Sequence, residues 1–248
     1  MSPISARGPG QVFREFVGME GDQLAKKDPE KTTSQKSVRG RRLEDARARM
    51  YEALIFEAAE SAFADRGFNG TTMQQIASEA GVSLKTVYGT YPGKRELFDL
   101  IMHQRGHALH QHMREAAASA NGVLAQLRSM TSAFVEYLFE HRDWLEIHLR
   151  SQIAWSMKPT GDDAADLWRK GLEDLKALIE AGMEAGVFEA GDSSELAVLL
   201  TTVMKVEVTT AADRGEREAE PVADRAFLYL TRLLGAAAPS ERGAGDEM

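Results

Sequence analysis

Apolar positions recur at helical spacing through most of the chain. Ile55, Ala59 and Phe63 stand at i, i+4 and i+8, which predicts a helix over 43–66 with one buried stripe. Gly67 follows it as a C-terminal cap. Leu127, Met130, Phe134 and Leu138 mark another stripe on a helix over 123–140. Further helices are predicted over 94–117, 142–155, 162–185, 193–212 and 221–234. The one at 162 opens on acids that suit a helix N-terminus, and the last has Pro221 at or near its first turn. Between Pro29, Pro92, Pro159 and Pro221 no proline interrupts the chain, so long helices are permitted. No segment alternates apolar and polar residues with a period of two, so no sheet is predicted and the fold class is all-α.

The two ends lack this periodicity. Residues 1–42 are rich in Gly, Pro, Ser, Thr, Lys and Gln and read as a flexible tail. That tail closes on a basic cluster of Lys36, Arg39, Arg41 and Arg42. Residues 238–248 read as a short, disordered polar tail. The body divides into a small helical domain over 43–93 and a larger one over 94–237.

Composition narrows the function classes. With no cysteine, disulfides, thiolate metal sites and cysteine nucleophiles are excluded. No apolar run reaches the ~20 residues needed to span a bilayer, and the first residues lack a signal-peptide core, so a cytoplasmic protein is expected. The net charge of −8 argues against a nucleic-acid partner until it is resolved along the chain. Residues 31–105 carry 12 basic against 9 acidic side chains, whereas 106–248 carry 14 against 24. A mildly basic segment ahead of an acidic body fits a modular nucleic-acid binder, or else helix faces of uneven sign.

The segment from Thr71 to Pro92 holds two helix starts. Thr71 or Thr72 is a hydroxyl N-cap with Gln74 or Gln75 at the reciprocal capping-box position, and Ser83 is a second N-cap. Gly81 lies between them, where the chain must turn sharply. Ala77, Gly81 and Val87 give the small–glycine–branched spacing of a helix-turn-helix. Pro92 limits the second helix to about seven residues, roughly 10 Å. A short helix with small polar side chains fits a major groove about 12 Å wide. Its outward residues are Lys85, Thr86, Tyr88 and Thr90. Thr86 suits a base edge, Lys85 a guanine or a phosphate, and Tyr88 a phosphate. Thr72 and Ser83 at the helix starts, and Lys94 at the start of the next helix, complete the candidate DNA contacts.

At these residues the chain resembles the tetracycline-repressor-type (TetR-family) transcriptional regulators. The resemblance runs through Phe63-Ala64-Asp65-Arg66-Gly67-Phe68, Thr71-Thr72, Ile76-Ala77, Ala80-Gly81-Val82-Ser83, Thr86-Val87-Tyr88, Tyr91-Pro92, Lys94 and Glu96-Leu97. It covers about fifty residues. It implies an N-terminal three-helix DNA-binding domain, a larger helical domain for ligand binding and dimerisation, and nine or ten helices in all. Two positions depart from the family pattern. Thr90 stands where a histidine is common, and Gly89 where a long polar residue is common. Fewer contacts from the recognition helix follow, and Arg39, Arg41 and Arg42 are candidates to supply others.

One helix pair reads a single half-site weakly, so a homodimer on a palindromic double-stranded operator is expected, its two readers set ~34–36 Å apart or a multiple of that. The candidate interface is Leu196, Leu199, Leu200, Val203 and Met204 with Phe227, Leu230, Leu233 and Leu234; ordinary intramolecular core is the alternative. Phe134, Tyr137, Leu138, Trp144, Ile147, His148, Trp155 and Trp168 are candidates to line an apolar effector cavity. A ligand favouring the wrong reader separation would release DNA, so a repressor freed by a small apolar molecule is expected.

His103, His107 and His110 share one helix face, which raises a metal-responsive alternative. Otherwise no metal site and no cofactor are expected. His141-Arg142-Asp143 matches the tripeptide of kinase catalytic loops but lacks the glycine-rich loop and the trailing asparagine, so it reads as a helix–helix turn. No hydrolase or phosphate-loop motif is present, and no enzyme is expected. A helical small-molecule-binding protein or enzyme without DNA activity is the rival.

Overall fold

In a computed structural model of the chain, residues 29–150 and 162–236 are described, with side chains over 41–150 and 166–236. Among the described residues there are nine helices and no strand. They are α1 (Pro29–Gly70), α2 (Met73–Glu79), α3 (Leu84–Thr90), α4 (Lys94–Ala118), α5 (Val123–Glu140), α6 (Arg142–Arg150), α7 (Asp162–Glu184), α8 (Ser193–Asp213) and α9 (Ala219–Leu233). The all-α expectation is met, and most predicted boundaries fall within a residue or two.

The first helix differs. It begins at Pro29 rather than at 43. Proline is well placed at the first helical position, and no other proline follows before the helix ends. The early turns lack an apolar stripe, so periodicity gave no sign of them. Gly67, with φ of 70°, breaks the regular path of α1 near its end, as its sequence position predicted. The chain divides into two units, Met1–Arg47 and Ala48–Met248, and α1 contributes to both. In the first, Arg41 and Arg42 are exposed; the Arg39 side chain lies outside the described residues.

In the second unit α5 is the central helix. Its buried residues, among them Leu127, Met130, Phe134, Val135 and Leu138, occupy most of its circumference, the mark of a helix enclosed by others. It packs on α4, α6, α7, α8 and α9. Thr131 tolerates full burial because its hydroxyl donates to the Leu127 carbonyl. Where α1 meets α4, the rings of Phe63, Phe68 and Phe98 form a mutual cluster with centroids 5.2–5.9 Å apart. Aromatic contact and burial of this kind stabilise the junction of the two helices. Among the described residues, no helix is long and apolar enough to cross a membrane.

Candidate functional site

The α2–α3 pair is built by local chemistry that the sequence carries openly. Thr72 is the N-cap of α2, and Gln75 closes the capping box. The Gln75 amide donates to the Thr72 hydroxyl oxygen (3.2 Å), and the Thr72 amide donates to the Gln75 side-chain oxygen (2.8 Å). At the far end Gly81 has φ of 66°. The Val82 amide donates to the Ala77 carbonyl (3.0 Å) and the Gly81 amide to that of Ser78 (3.2 Å). These two bonds complete a Schellman turn, which needs a left-handed residue at this point. Ser83 then caps α3, accepting from the Thr86 amide at 3.0 Å. Ile76, Ala77 and Val87 are fully buried behind the pair.

The outward face of α3 differs in detail from expectation. Ser83, Lys85 and Tyr88 are exposed, Tyr88 by 52%. Thr86 and Thr90 are only half-exposed. The Thr86 hydroxyl pairs with that of Ser83 at 2.8 Å, and the Thr90 hydroxyl donates to the Thr86 carbonyl at 3.0 Å. Thr90 therefore spends its donor on its own helix. On α2, Thr72, Gln74 and Ser78 are exposed along with these residues.

Lys94 is half-exposed and its ammonium is engaged within the protein. It donates to the carbonyls of Phe68 (2.7 Å) and Thr71 (2.8 Å) and lies 4.5 Å from the Phe68 ring centroid. The cation neutralises the carbonyl-rich end of α1 and fastens it to the start of α4. Thr71 is held there too, its buried hydroxyl donating to the Ala62 and Gly67 carbonyls at 2.9 and 2.8 Å.

The aromatic set proposed for an effector is partly assembled. Phe134, Tyr137 and Leu138 on α5 and Trp144, Ile147 and His148 on α6 are all buried in one core. Trp144 meets Tyr137 edge-on at 5.9 Å and His148 at 4.5 Å. Trp168 on α7 is half-buried, 4.1 Å beneath the Lys205 ammonium, and burial lowers the Lys205 pKa to about 8. Trp155 lies outside the described residues.

The candidate interface also needs correction. Leu200, Met204, Leu230 and Leu234 are buried within the protomer and cannot be an outer face. Leu199 and Leu233 are exposed, and Leu196, Val203 and Phe227 half-exposed. The outward apolar row instead includes Val206, Leu228 and Tyr229, which apolar spacing alone did not separate from the core. A groove of about 450 Å³ runs between α8 and α9 past Val203, Val206, Tyr229 and Leu233.

The histidine face does not form a metal centre. The His103 and His107 ring centroids lie 4.3 Å apart with the rings tilted by 58°, while His110 Nε2 lies 3.0 Å from an Asp174 carboxylate oxygen on α7. Burial lowers the His110 pKa, with Asp174 opposing. Seven residues of helix separate His103 from His110 by about 10 Å, too far for one ion without a second element. Among the described residues no group of three or more His, Cys, Asp or Glu could hold a metal ion. His141-Arg142-Asp143 is the α5–α6 turn, as expected, with Arg142 opening α6.

Residues 55–101 match the family described as bacterial regulatory proteins, tetR family. The HTH-type transcriptional activator FasR of Mycolicibacterium smegmatis is 27% identical over 141 residues, 52% of this chain and 64% of that protein. The chain thus spans somewhat under two thirds of that relative. The HTH-type transcriptional regulator YhgD of Bacillus subtilis is 25% identical over 74% of this chain and 96% of its own length. In fold, the chain is similar to the transcriptional regulator FadR from Bacillus subtilis, solved in complex with stearoyl-CoA. That likeness has a TM-score of 0.61 at 16% identity, over 75% of this chain and all of that one.

Proposed function

Because the chain belongs to the tetR family of bacterial regulatory proteins, we propose that it is a homodimeric transcriptional repressor that a small apolar ligand releases from a palindromic operator. The observation that carries this reading is the capped, seven-residue α3 with its buried Val87 behind and exposed Ser83, Lys85 and Tyr88 in front. A helix of that size, apolar behind and polar in front, suits the major groove. In this reading Thr72 at the α2 N-terminus contributes a phosphate contact, and Arg39, Arg41 and Arg42 are the further basic candidates.

Residues 43–93 act as the reader and 94–237 as the effector and dimerisation domain. The exposed row Leu199, Val206, Tyr229 and Leu233 supports a second copy as the partner on α8–α9. An apolar effector is favoured by the aromatic core on α5 and α6, and by a structural neighbour whose bound molecule is an acyl chain on coenzyme A. Such a protein works in the cytoplasm on double-stranded DNA and needs neither a cofactor nor a catalytic residue.

Selection of binding sites from random duplexes tests the proposal. A palindrome with two half-sites is expected, and Tyr88→Ala and Lys85→Ala should weaken binding to it while folding and dimerisation persist. Enrichment of no sequence, with only weak and salt-sensitive binding, would reject it.

A further inference from the structure

We infer that the buried Glu60–Arg105 ion pair is a positioning element for DNA reading, fixing the register of α1 against α4 and so the placement of α2–α3. This rests on the DNA-reading function proposed above. Glu60 lies on α1 and is only 5% exposed. Arg105, 45 residues later on α4, meets it with two hydrogen bonds. Nε donates to Oε1 at 2.8 Å and Nη2 to Oε2 at 2.6 Å. The guanidinium also lies 5.6 Å from the Phe56 ring, one turn before Glu60 on α1.

A bidentate carboxylate–guanidinium pair has one geometry, because both groups are planar and both bonds must be made together. Apolar contacts between α1 and α4 would tolerate a small slide; this pair does not. Slippage of α1 would be passed on directly. The Thr71 hydroxyl binds carbonyls of α1, and Lys94 binds those of Phe68 and Thr71, so the α2 entry moves with the α1 end.

The pair also abuts the aromatic core. The Tyr137 hydroxyl on α5 faces the Arg105 guanidinium yet is fully enclosed without a well-aligned hydrogen bond, and Trp144 Nε1 is likewise enclosed and unpartnered. Enclosed polar atoms without partners cost folding free energy and are rare in native cores. Ring contacts run from His148 through Trp144 to Tyr137, whose hydroxyl faces Arg105. The titratable groups around the pair are His112, Glu140, His141, Asp143 and Asp65. Burial and Arg105 lower the His141 pKa, and burial and Glu60 raise that of Asp143.

Stability alone does not account for such a pair, since apolar replacement of both members of a buried pair is often neutral or stabilising. That property makes the test clean. The full chain carrying E60L and R105M together is compared with wild type on the duplex that wild type selects from a random pool and on an unrelated duplex of equal length. The double variant should melt like wild type and remain dimeric. Its affinity for the selected duplex should fall tenfold or more, while its affinity for the unrelated duplex and its salt dependence stay unchanged. E60D with R105K, which keeps both charges but loses the bidentate reach, should show the same loss and covers the case in which the apolar pair fails to fold. A preserved ratio of selected to unrelated affinity in either variant overturns the inference. So does a parallel fall of both affinities in step with lost folded protein. If wild type itself selects no duplex, the regulator reading fails first and this inference with it.

Discussion

Replacing Lys94 by Met keeps the aliphatic stem and removes the ammonium, and its effect separates two roles for this side chain. In the structure the ammonium makes two short hydrogen bonds to main-chain carbonyls, at 2.7 and 2.8 Å, and a cation–π contact with Phe68 at 4.5 Å. A hydrogen bond involving a charged group contributes about 1.5–3 kcal/mol when well buried. Lys94 is half-buried, so about 1 kcal/mol for each bond is the proper scale once solvent screening is allowed for. The ring contact adds roughly 0.5–1 kcal/mol. The sum is about 2–3 kcal/mol, which for a protein of this size lowers the melting temperature by roughly 5–10 °C. Thermal melting by circular dichroism measures this directly. Binding to the selected duplex should also weaken, because the α1 end and the α2 entry are no longer tied to α4. A phosphate contact would behave differently. It would leave the melting temperature unchanged and reduce the salt slope of DNA binding by ~1. That pair of results would refute the clamp.

Two further perturbations address the body of the protein. Val206→Asp or Leu233→Asp places a charge on the exposed α8–α9 row and should weaken dimerisation by at least about 100-fold, read by sedimentation, with the protomer still folded. Leu200→Ala, by contrast, should cost about 2–5 kcal/mol of folding stability, since Leu200 is fully enclosed in the protomer. For pH, burial lowers the pKa of His110 and of His141, so the unfolded chain takes up protons first as pH falls through the ordinary imidazole value near ~6.5. Their contribution to stability is present above that value and is lost as pH falls toward the lowered folded values. Urea midpoints should therefore drop between about pH 7.5 and 5.5, and His110→Gln with His141→Gln should flatten that slope.

Legibility in the sequence followed the range of the interactions. Most of what is set within about ten residues could be read, although the threonine hydroxyls of α3 turned back on their own helix. Thr72 and Ser83 as caps, Gly81 as the turn, and Ala77 and Val87 as the buried side are each set by neighbours three to six positions away. Contacts between distant segments could not. Nothing in the spacing of Lys94 tells whether its ammonium meets a phosphate or the carbonyls of Phe68 and Thr71. Glu60 and Arg105 are 45 residues apart and look like two more charges on amphipathic helices. The α8 stripe failed for a geometric reason. Leu200, Met204 and Val208 face inward, whereas Leu199, Val203 and Val206 lie roughly 130° around the same helix, and both rows are apolar. Periodicity finds a face only when the opposite face is polar. A helix buried on one side and exposed but apolar on another defeats it.

The short reading helix shows why remote residues should govern DNA recognition in this protein. Seven residues are far too few for a helix to persist in water on its own, because nucleation costs more than so few hydrogen bonds return. The conformation of α3 is therefore imposed from outside. The Ser83 cap and the Gly81 turn fix its beginning, the buried Val87 fixes its inward face, and the Tyr91 hydroxyl reaches the Glu52 carbonyl on α1 from its far end at 3.4 Å. The Tyr91 contact leads to α1, which is held on α4 by Lys94, by the Phe63–Phe68–Phe98 rings and by the Glu60–Arg105 pair. The side chains that face the groove supply the chemistry of contact, but they have no geometry of their own. On the proposed reading, affinity for a specific site depends on the α1–α4 junction as much as on Lys85 or Tyr88, and a ligand that alters that junction should alter DNA binding without approaching the DNA.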